Sequence, residues 1–547
     1  MEIWDLYTKE GQPTGKILRR GEPIPDGYYH PGVHVWIKNS KGQYLMSQRA
    51  ADRPTFPLKW ECVGGSMLAG ENSLTGAIRE VQEELGIVLN PKNGKLLFTE
   101  ARDMVAGVPF YDYMYIWLFH CDGDFSLEDA STKEVAQARW MTAAEIQELQ
   151  DNGTLSPPLT YFLQKFIIKD INMIYLDNSA TTKPCAEAVE AMTLALTENW
   201  GNPSALYNFG FDAAHQLRDA RSKVATAMGA EPDRVFFTSG GTEADNWAIH
   251  GTIKRFGKRG KHIITTAIEH HAILNPMKEL ENQGFEVTYL QPDGEGRITT
   301  DALKAALRPD TILVSIMMVN NEAGSVMPIA QMAKITHRLA PNAVFHTDAV
   351  QGFLKVPFSA KTLGADLISV SSHKIHGPKG CGALYISPRL KSFPALLVGG
   401  GQEGNYRSGT EGTPAIFSFA AAAAAGAATF KADIAHEREL LDTLIEKVSA
   451  LEGIRINGAH EAPHILSLSI PGIPTQNTIN ILQDHGICVS AGSACAKGHR
   501  SHVLEAMKVS PEAIDGSFRV SLCRDNTAEE LETLVRVIQA EILPRVR

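Results

Sequence analysis

One cysteine of this chain stands among residues that favour reactivity. In Ser490-Ala491-Gly492-Ser493-Ala494-Cys495-Ala496-Lys497-Gly498-His499-Arg500, small residues and glycine precede Cys495 and basic residues follow it. That composition predicts a pliable, electropositive loop, and nearby cations lower a thiol's pKa toward the nucleophilic thiolate. Lys374, in Ser371-Ser372-His373-Lys374-Ile375-His376-Gly377, follows an apolar run. An amine just past a strand end can form a Schiff base with an aldehyde cofactor, and Ser371 and His373 beside it suit a phosphate. His346-Thr347-Asp348-Ala349-Val350-Gln351 ends a second apolar run. Pyridoxal phosphate (PLP) needs a carboxylate at its ring nitrogen, which Asp348 supplies, while Gln351 can reach the ring's phenolic oxygen. Thr238-Ser239-Gly240-Gly241-Thr242-Glu243-Ala244-Asp245-Asn246 joins a strand to a helix, so Gly241 and Thr242 offer an anion site at a helix N-terminus. His270, in Glu269-His270-His271, could lay a flat imidazole on the ring, with His271 as a structural neighbour. Taken singly, these read as a surface lysine, a capping aspartate, a glycine turn and a packed histidine. Together they fall at the carboxyl ends of strands, where open α/β sheets place ligands.

A second constellation lies upstream. Gly65-Ser66-Met67-Leu68-Ala69-Gly70-Glu71 is followed, seven residues later, by Arg79-Glu80-Val81-Gln82-Glu83-Glu84-Leu85-Gly86-Ile87. On a helix Glu80, Glu83 and Glu84 sit at i, i+3 and i+4, so three carboxylates share one face. Such a face calls for a cation, and hard oxygen ligands favour Mg²⁺ or Mn²⁺ bridging to a phosphate. Arg79 can orient one carboxylate, and Gly65 permits a tight loop presenting its own carbonyl. Glu134, ahead of Arg139-Trp140, is a weaker candidate for metal ligand or general base.

The elements that must position these residues follow from the patterning. Val33-His34-Val35-Trp36-Ile37 and Tyr113-Met114-Tyr115-Ile116-Trp117-Leu118-Phe119 read as strands. Ser73–Leu85 reads as a helix closed by Gly86, and Thr142-Ala143-Ala144-Glu145 has capping-box spacing. A boundary is expected around residues 169–173. Beyond it, near-continuous apolar strands at 235–238, 262–265, 312–316, 344–347 and 367–370 alternate with helical stretches, which implies a parallel sheet covered on both faces. Charged helices around Ile465-Leu466-Ser467-Leu468-Ser469-Ile470 suit a smaller α+β domain. The expected domains are 1–168 and 173–547, the latter split into a large part at about 190–425 and a small part from 173–189 plus 426–547.

With 547 residues, the chain is too long for one core. Its 44 % hydrophobic and 21 % charged residues are ordinary for a globular protein, and a net charge of −10 argues against wholesale binding to nucleic acid or anionic membrane. Seven scattered cysteines without a CxxC pair fit a reduced compartment. The opening Met-Glu-Ile-Trp-Asp has no basic stretch leading into an apolar one, and residues 419–428 are mostly alanine, too short to span a bilayer and expected in a packed helix. Cytoplasm is the expected location.

The Gly65 to Ile87 spacing resembles the Nudix box, which implies an α/β/α Nudix hydrolase fold over residues 1–168. By this resemblance Glu80, Glu83 and Glu84 bind Mg²⁺ (or Mn²⁺), Glu71 supports them, and the substrate is a nucleoside diphosphate or other diphosphate linked to a further group. Trp4-Asp5 and the Tyr29 to Trp36 segment look most like Nudix proteins near isopentenyl-diphosphate isomerases, but Cys62 is not where that isomerase's cysteine is expected, so hydrolysis is favoured. Residues 173–547 resemble PLP enzymes of fold type I, in the class V aminotransferase group, which implies a large domain on a mostly parallel sheet and a smaller α+β C-terminal domain. Within it, Leu176-Asp177-Asn178-Ser179-Ala180-Thr181-Thr182, Gly201-Asn202-Pro203-Ser204 and Val319-Asn320-Asn321-Glu322-Ala323-Gly324 look like NifS-type cysteine desulfurases. The resemblance implies that Cys495 takes the sulfur of L-cysteine as a persulfide and alanine is released. It further implies that Arg519 pairs with the substrate carboxylate, and that Asn321 helps hold substrate and cofactor. Thr410, in Arg407-Ser408-Gly409-Thr410, would reach the partner subunit's cofactor phosphate in a homodimer. The short stretch from Cys495 to Leu504 leaves the sulfur-acceptor protein open between iron–sulfur assembly and tRNA or cofactor thiolation. Two alternatives remain at this point: a selenocysteine lyase or other PLP elimination enzyme, and a first domain that senses nucleotides rather than hydrolysing them.

Overall fold

The computed structural model describes residues 2–546 apart from 106, 124, 126, 160–172 and 492–499, with backbone only at 108 and 144. The chain divides into two compact units, Met1–Asn172 and Met173–Arg547.

In the first unit β1 (Ile3–Tyr7) and β2 (Pro13–Arg19) form an antiparallel hairpin. The remaining strands form a mixed sheet centred on β3 (His30–Lys38), which runs parallel to β8 (Val108–His120). Around them lie β4 (Tyr44–Arg49), β5 (Trp60–Glu61), β6 (Val63–Ser66), β7 (Gly94–Val105) and β9 (Val135–Met141). The β3–β8 register pairs Val33 with Tyr115, Val35 with Trp117 and Ile37 with Phe119, so six large side chains face one way. On that face sits the helix Ser73–Leu85, through Ala77, Val81 and Leu85. The other face carries Trp36, Met114 and Ile116, and packs on Ile146 and Leu149 of the helix Ala143–Asp151. The result is an α/β/α sandwich. Both helix ends follow the sequence: Gly86 caps the first in the left-handed region at φ 70°, and Thr142 with Glu145 completes a capping box on the second.

The second unit is built on a seven-stranded sheet in the order β11 (Val235–Thr238), β17 (Gly382–Ile386), β16 (Leu367–Ser371), β15 (Val344–Asp348), β14 (Thr311–Ser315), β12 (His262–Thr266) and β13 (Glu286–Leu290). All pairs are parallel except those of β17, which runs antiparallel to β16 and β11. The sheet is mostly parallel, as expected, with β17 as its antiparallel member. Only residues 372–381 link β16 to β17, too few for a helical crossover, so the chain returns as a hairpin. Val314, Phe345 and Ile368 face one apolar cluster, whereas Leu313, Val344 and Leu367 face another, which is why these strands read as unbroken apolar runs.

The helix Thr413–Ser449 runs unbroken for 37 residues across the expected border at 425/426. It is long and apolar enough by composition to cross a bilayer. Its alanine-rich half instead packs on the helices Ala186–Thr197 and Asn208–Met228, and its charged half buries Glu437 against Lys355 at 2.9 Å. Leu440, Leu441, Leu444 and Val448 then join a separate cluster with a three-stranded antiparallel sheet of β18 (Arg455–Asn457), β19 (Ile465–Ser469) and β21 (Ser517–Ser521). A two-stranded parallel pair, β10 (Ile174–Tyr175) with β20 (Ile487–Cys488), lines the same cluster.

Candidate active sites

At the carboxyl ends of the large sheet a cavity of about 220 Å³ is lined by Ser179, Ala180, Gly241, Thr242, Asp245, His270, Met317, Val319, Asn321, Asp348, Val350, Gln351, Ser371, His373, Lys374 and Arg519. The predicted residues arrive from several strand ends, Asp348 and Gln351 from β15 and Ser371, His373 and Lys374 from β16. Lys374 follows β16, and its Nζ donates to the carbonyls of Ser179 and, at 2.8 Å, Ala180. Asp348 ends β15; its carboxylate accepts the Val350 N–H at 2.9 Å, and burial pushes its pKa up to about 6 despite the cation of Lys374. Gln351 donates to the Ser179 carbonyl at 2.8 Å. His270 caps the helix His271–Asn282 by accepting the Ala272 N–H at Nδ1, 3.1 Å, which places its proton on Nε2. Burial, reinforced by Lys374, lowers its pKa to about 4, so the ring is neutral. His373 is lowered to about 4 for the same reasons and faces the Thr181 hydroxyl at 3.2 Å.

Gly241 and Thr242 open the 16-residue helix Gly241–Phe256. A Cβ on Gly241 would lie 2.7 Å from Val350 Cγ2, so this backbone approaches the cavity wall as only glycine allows. Asn321 reaches the cavity beside Arg519, whose Nη1 donates to the Asn321 carbonyl at 2.7 Å and whose Nη2 pairs with Asp177 at 2.7 Å. Arg519 is 3 % exposed, and its Nε–H is buried with no acceptor among the described residues. Thr410 is not in this cavity; it lines a separate cleft with Ser239, Arg407 and Glu411. Cys495 lies outside the described residues. Its segment leaves from Ser490, whose carbonyl accepts the Arg519 N–H at 2.7 Å, and returns at Ser501, whose hydroxyl donates to buried Glu322.

Two buried carboxylates, Asp245 in the cavity lining and Glu269 outside it, carry no role in the sequence reading. Asp245 is 1 % exposed, sits three residues after Thr242 on the same helix face, and is driven up in pKa by burial and by Asp348. Glu269, fully buried, accepts from Thr266 and the Met317 N–H, is lifted to about 8 by burial, and adds its charge to the rise at Asp245. Asp177 lies in the Leu176 to Thr182 segment, but its bond to Arg519 spans 342 residues and no local signal announces it.

The first unit's acidic face is real and crowded. Arg79 orients three carboxylates rather than one, bonding Glu71 through Nε and Nη2 at 2.9 Å, Glu80 at 2.9 Å and Glu83 at 3.0 Å. Glu84 is 6 % exposed and pushed well up by burial and by its neighbours Glu61, Glu80 and Glu134. Burial lifts Glu80 and Glu61 to about 7 each. Glu61, held by Arg49 at 2.6 Å, was missed because nothing in its local sequence marks it. Glu134 pairs with Arg53 and adds its charge to the same group. Gly65 serves differently from expectation. Its φ is not left-handed; it lies in β6 opposite Val33, and a Cβ there would fall 2.2–2.4 Å from the Glu80 carboxyl group.

Residues 174–534 match the family model for aminotransferase class-V, and residues 28–162 match that for the NUDIX domain. A cysteine desulfurase IscS of Methanosarcina thermophila is 43 % identical over 378 residues, covering 68 % of this chain and 93 % of that protein. A cysteine desulfurase IscS of Dictyoglomus turgidum is 41 % identical over 379 residues, covering 68 % and 95 %. Among solved structures a NifS-like protein, 37 % identical, superposes with a TM-score of 0.64 over 68 % of this chain and 99 % of its own. The chain belongs to the class-V aminotransferase family, as a cysteine desulfurase that carries a NUDIX domain.

A cysteine desulfurase acts on L-cysteine with PLP, and the cavity's donor set fits that cofactor. A buried carboxylate, an amine and a glycine-and-hydroxyl helix start stand on separate elements around one space. The NUDIX domain likewise fits a divalent metal. Burial first, and then the charges of neighbouring glutamates, raise the pKa values of Glu61, Glu80 and Glu84, so these carboxylates are held together against repulsion that a hard cation would relieve.

Proposed function

We propose that the desulfurase cavity converts L-cysteine to L-alanine and passes the sulfur to Cys495 as a persulfide, for a protein acceptor serving iron–sulfur assembly or thiolation. The observation that carries this reading is the convergence of Lys374, Asp348, Gln351, His270, Thr242, Ser371 and His373 on one cavity. PLP bound there supplies an electron sink for the bonds at the substrate's α and β carbons. The protein supplies the rest. Thr242, Ser371 and His373 surround the position for a phosphate, Asp348 and Gln351 face the ring, and Lys374 brings the amine. Neutral His270 presents Nε2–H to the cavity. Arg519 keeps its Nε–H for the substrate carboxylate, with Asp177 and the Asn321 carbonyl fixing the guanidinium plane. Asn321 stands next to it. Cys495 accepts the sulfur atom, forming an S–S bond as the substrate's C–S bond breaks and its carbon skeleton leaves as alanine. Five peptide links separate it from Ser490, a reach of about 17 Å when extended, and Ser490 is bridged to Arg519.

In the NUDIX domain, Glu80, Glu83 and Glu84 hold Mg²⁺ or Mn²⁺ for hydrolysis of a nucleoside-diphosphate-type or other diphosphate substrate, with Glu134 as a further ligand or base. Thr410 serves the partner subunit's cavity in a homodimer, a reading supported by its place outside its own chain's cavity and by exposed Trp200, Leu206, Tyr207 and Phe211. The decisive test of the cofactor is an absorbance band of the bound aldehyde that Lys374→Ala removes. A band that survives this substitution overturns the assignment of Lys374. Metal-dependent phosphate release across diphosphate derivatives tests the NUDIX reading; turnover of none of them would make the domain a sensor.

A further inference from the structure

Outside both sites, three side chains of different chemistry meet behind the lysine loop. A ring nitrogen of His376, the Cys523 Sγ and an Asp525 carboxylate oxygen all lie within 4.8 Å of one another. His376 is two residues past Lys374, in the loop between β16 and β17, whereas Cys523 and Asp525 follow directly on β21, the strand that carries Arg519. His376 is 6 % exposed, and its Nδ1 is 2.9 Å from the Lys183 carbonyl. That carbonyl only accepts, so Nδ1 carries the proton and Nε2 presents a bare lone pair. Nε2 is buried with no hydrogen-bond partner among the described residues, which leaves it as the ring nitrogen available to the thiol and carboxylate cluster. Cys523 is 5 % exposed, and Asp525 stands at the surface.

We propose that His376, Cys523 and Asp525 form a zinc-class metal site that clamps the lysine loop to the end of β21. Nitrogen, sulfur and oxygen donors at this spacing suit a borderline-soft, tetrahedral cation far better than Mg²⁺, with the fourth position open to solvent beside exposed Asp525. A carbonyl orienting the far nitrogen is the usual support of a metal-bound imidazole. Binding forms a metal–sulfur bond and releases the Cys523 thiol proton to water, with no change of oxidation state. The cations nearest the site are already engaged, Lys355 by Glu437 at 2.9 Å and Arg524 by Asp433 at 3.6 Å, so they do not hold the site closed to a dication. Burial lowers His376 to about 4 and raises Cys523 to about 11, so the imidazole is already in its ligating form and the thiol releases its proton to water when a metal takes the sulfur. The site joins the segment bearing the cofactor lysine to the strand bearing the substrate arginine.

The test is Co²⁺ titration of the full-length holoenzyme in a Cys495→Ser background, which removes the loop thiol. One equivalent should produce a thiolate-to-cobalt charge-transfer band with intense tetrahedral d–d bands, both displaced by Zn²⁺. The NUDIX carboxylates give neither feature, because they offer only oxygen. Cys523→Ser should abolish the charge-transfer band, and His376→Gln the tetrahedral pattern. Asp525→Asn changes an exposed side chain and leaves the core intact; it should weaken Co²⁺ binding by about tenfold or more. Absence of the band at saturating Co²⁺, or a band that Asp525→Asn leaves at wild-type affinity, overturns the site.

Discussion

Arg519 and Gly65 show how single residues set the two chemistries. Arg519 spends two of its donors on Asn321 and Asp177 and keeps a third buried without an acceptor among the described residues. Lysine cannot reproduce that planar fork, and a hydrogen bond to a charged group contributes about 1.5–3 kcal/mol. Arg519→Lys is therefore expected to raise KM for L-cysteine by about ten- to a hundredfold, with kcat less affected; steady-state alanine formation measures it, and an unchanged KM would place the carboxylate elsewhere. Gly65→Ala puts a methyl group where the Glu80 carboxyl lies. Because that carboxyl is the free end of a flexible side chain, the fold should persist while metal affinity drops by about tenfold or more, a loss that calorimetric titration with Mn²⁺ reads directly. Most cavity residues were legible because each belongs to a short motif at a strand end. Asp245, Glu269, Glu61 and Asp177 were not, since their importance arises from burial beside charges that are distant in sequence.

Among the elements, those with the strongest periodicity were readable to within a residue or two. Ser73–Leu85 with its Gly86 cap, the capping box at Thr142, and the apolar strands β11, β12, β14, β15 and β16 all carried local signals that agree with their packing. β13 and β17 escaped. Glu-Val-Thr-Tyr-Leu lies at a sheet edge and is only half-buried, and Gly-Ala-Leu-Tyr-Ile owes its direction to the tight lysine loop rather than to its own residues. The unbroken helix Thr413–Ser449 was missed as one element because its two halves bury into different clusters and so change composition midway. The turn after β12 carries a pH prediction. Glu269 is lifted from the ordinary glutamate range to about 8, so the folded chain holds a proton that the unfolded chain loses near pH 4.5. Its stabilising contribution is full below that lower value and is lost as pH rises through about 8. Glu269→Gln keeps partners for Thr266 and Met317 without the titration. In urea denaturation of the cofactor-free protein it should match wild type near pH 4 and exceed it increasingly from pH 5 to 8, by at most about 1.4 kcal/mol per pH unit. A gap that does not widen with pH would show that Glu269 does not hold that proton.

On the scale of the whole molecule, the chain is two units with separate cores. The first has sheet faces built on Trp36 and on Val35 with Val81, and the second has its own large and small clusters. Every residue lining the PLP cavity lies after Met173. Removal of residues 1–172 should therefore leave the cofactor absorbance and the rate of alanine formation within about twofold of the full-length enzyme, because the second unit supplies the whole lining; a larger loss would reveal functional coupling between the halves. The family of each unit was visible in its motifs, whereas the identity of the substrate that the NUDIX carboxylates meet depends on walls that no motif encodes. The central claim concerns where the sulfur goes. Mass spectrometry of the Cys495 peptide after a single turnover with L-cysteine, without reductant, tests it most directly. The account predicts one added sulfur atom on that peptide for each alanine formed, and neither in Lys374→Ala. Alanine released in full yield with no sulfur on Cys495, or from Cys495→Ala at the wild-type rate, would contradict it.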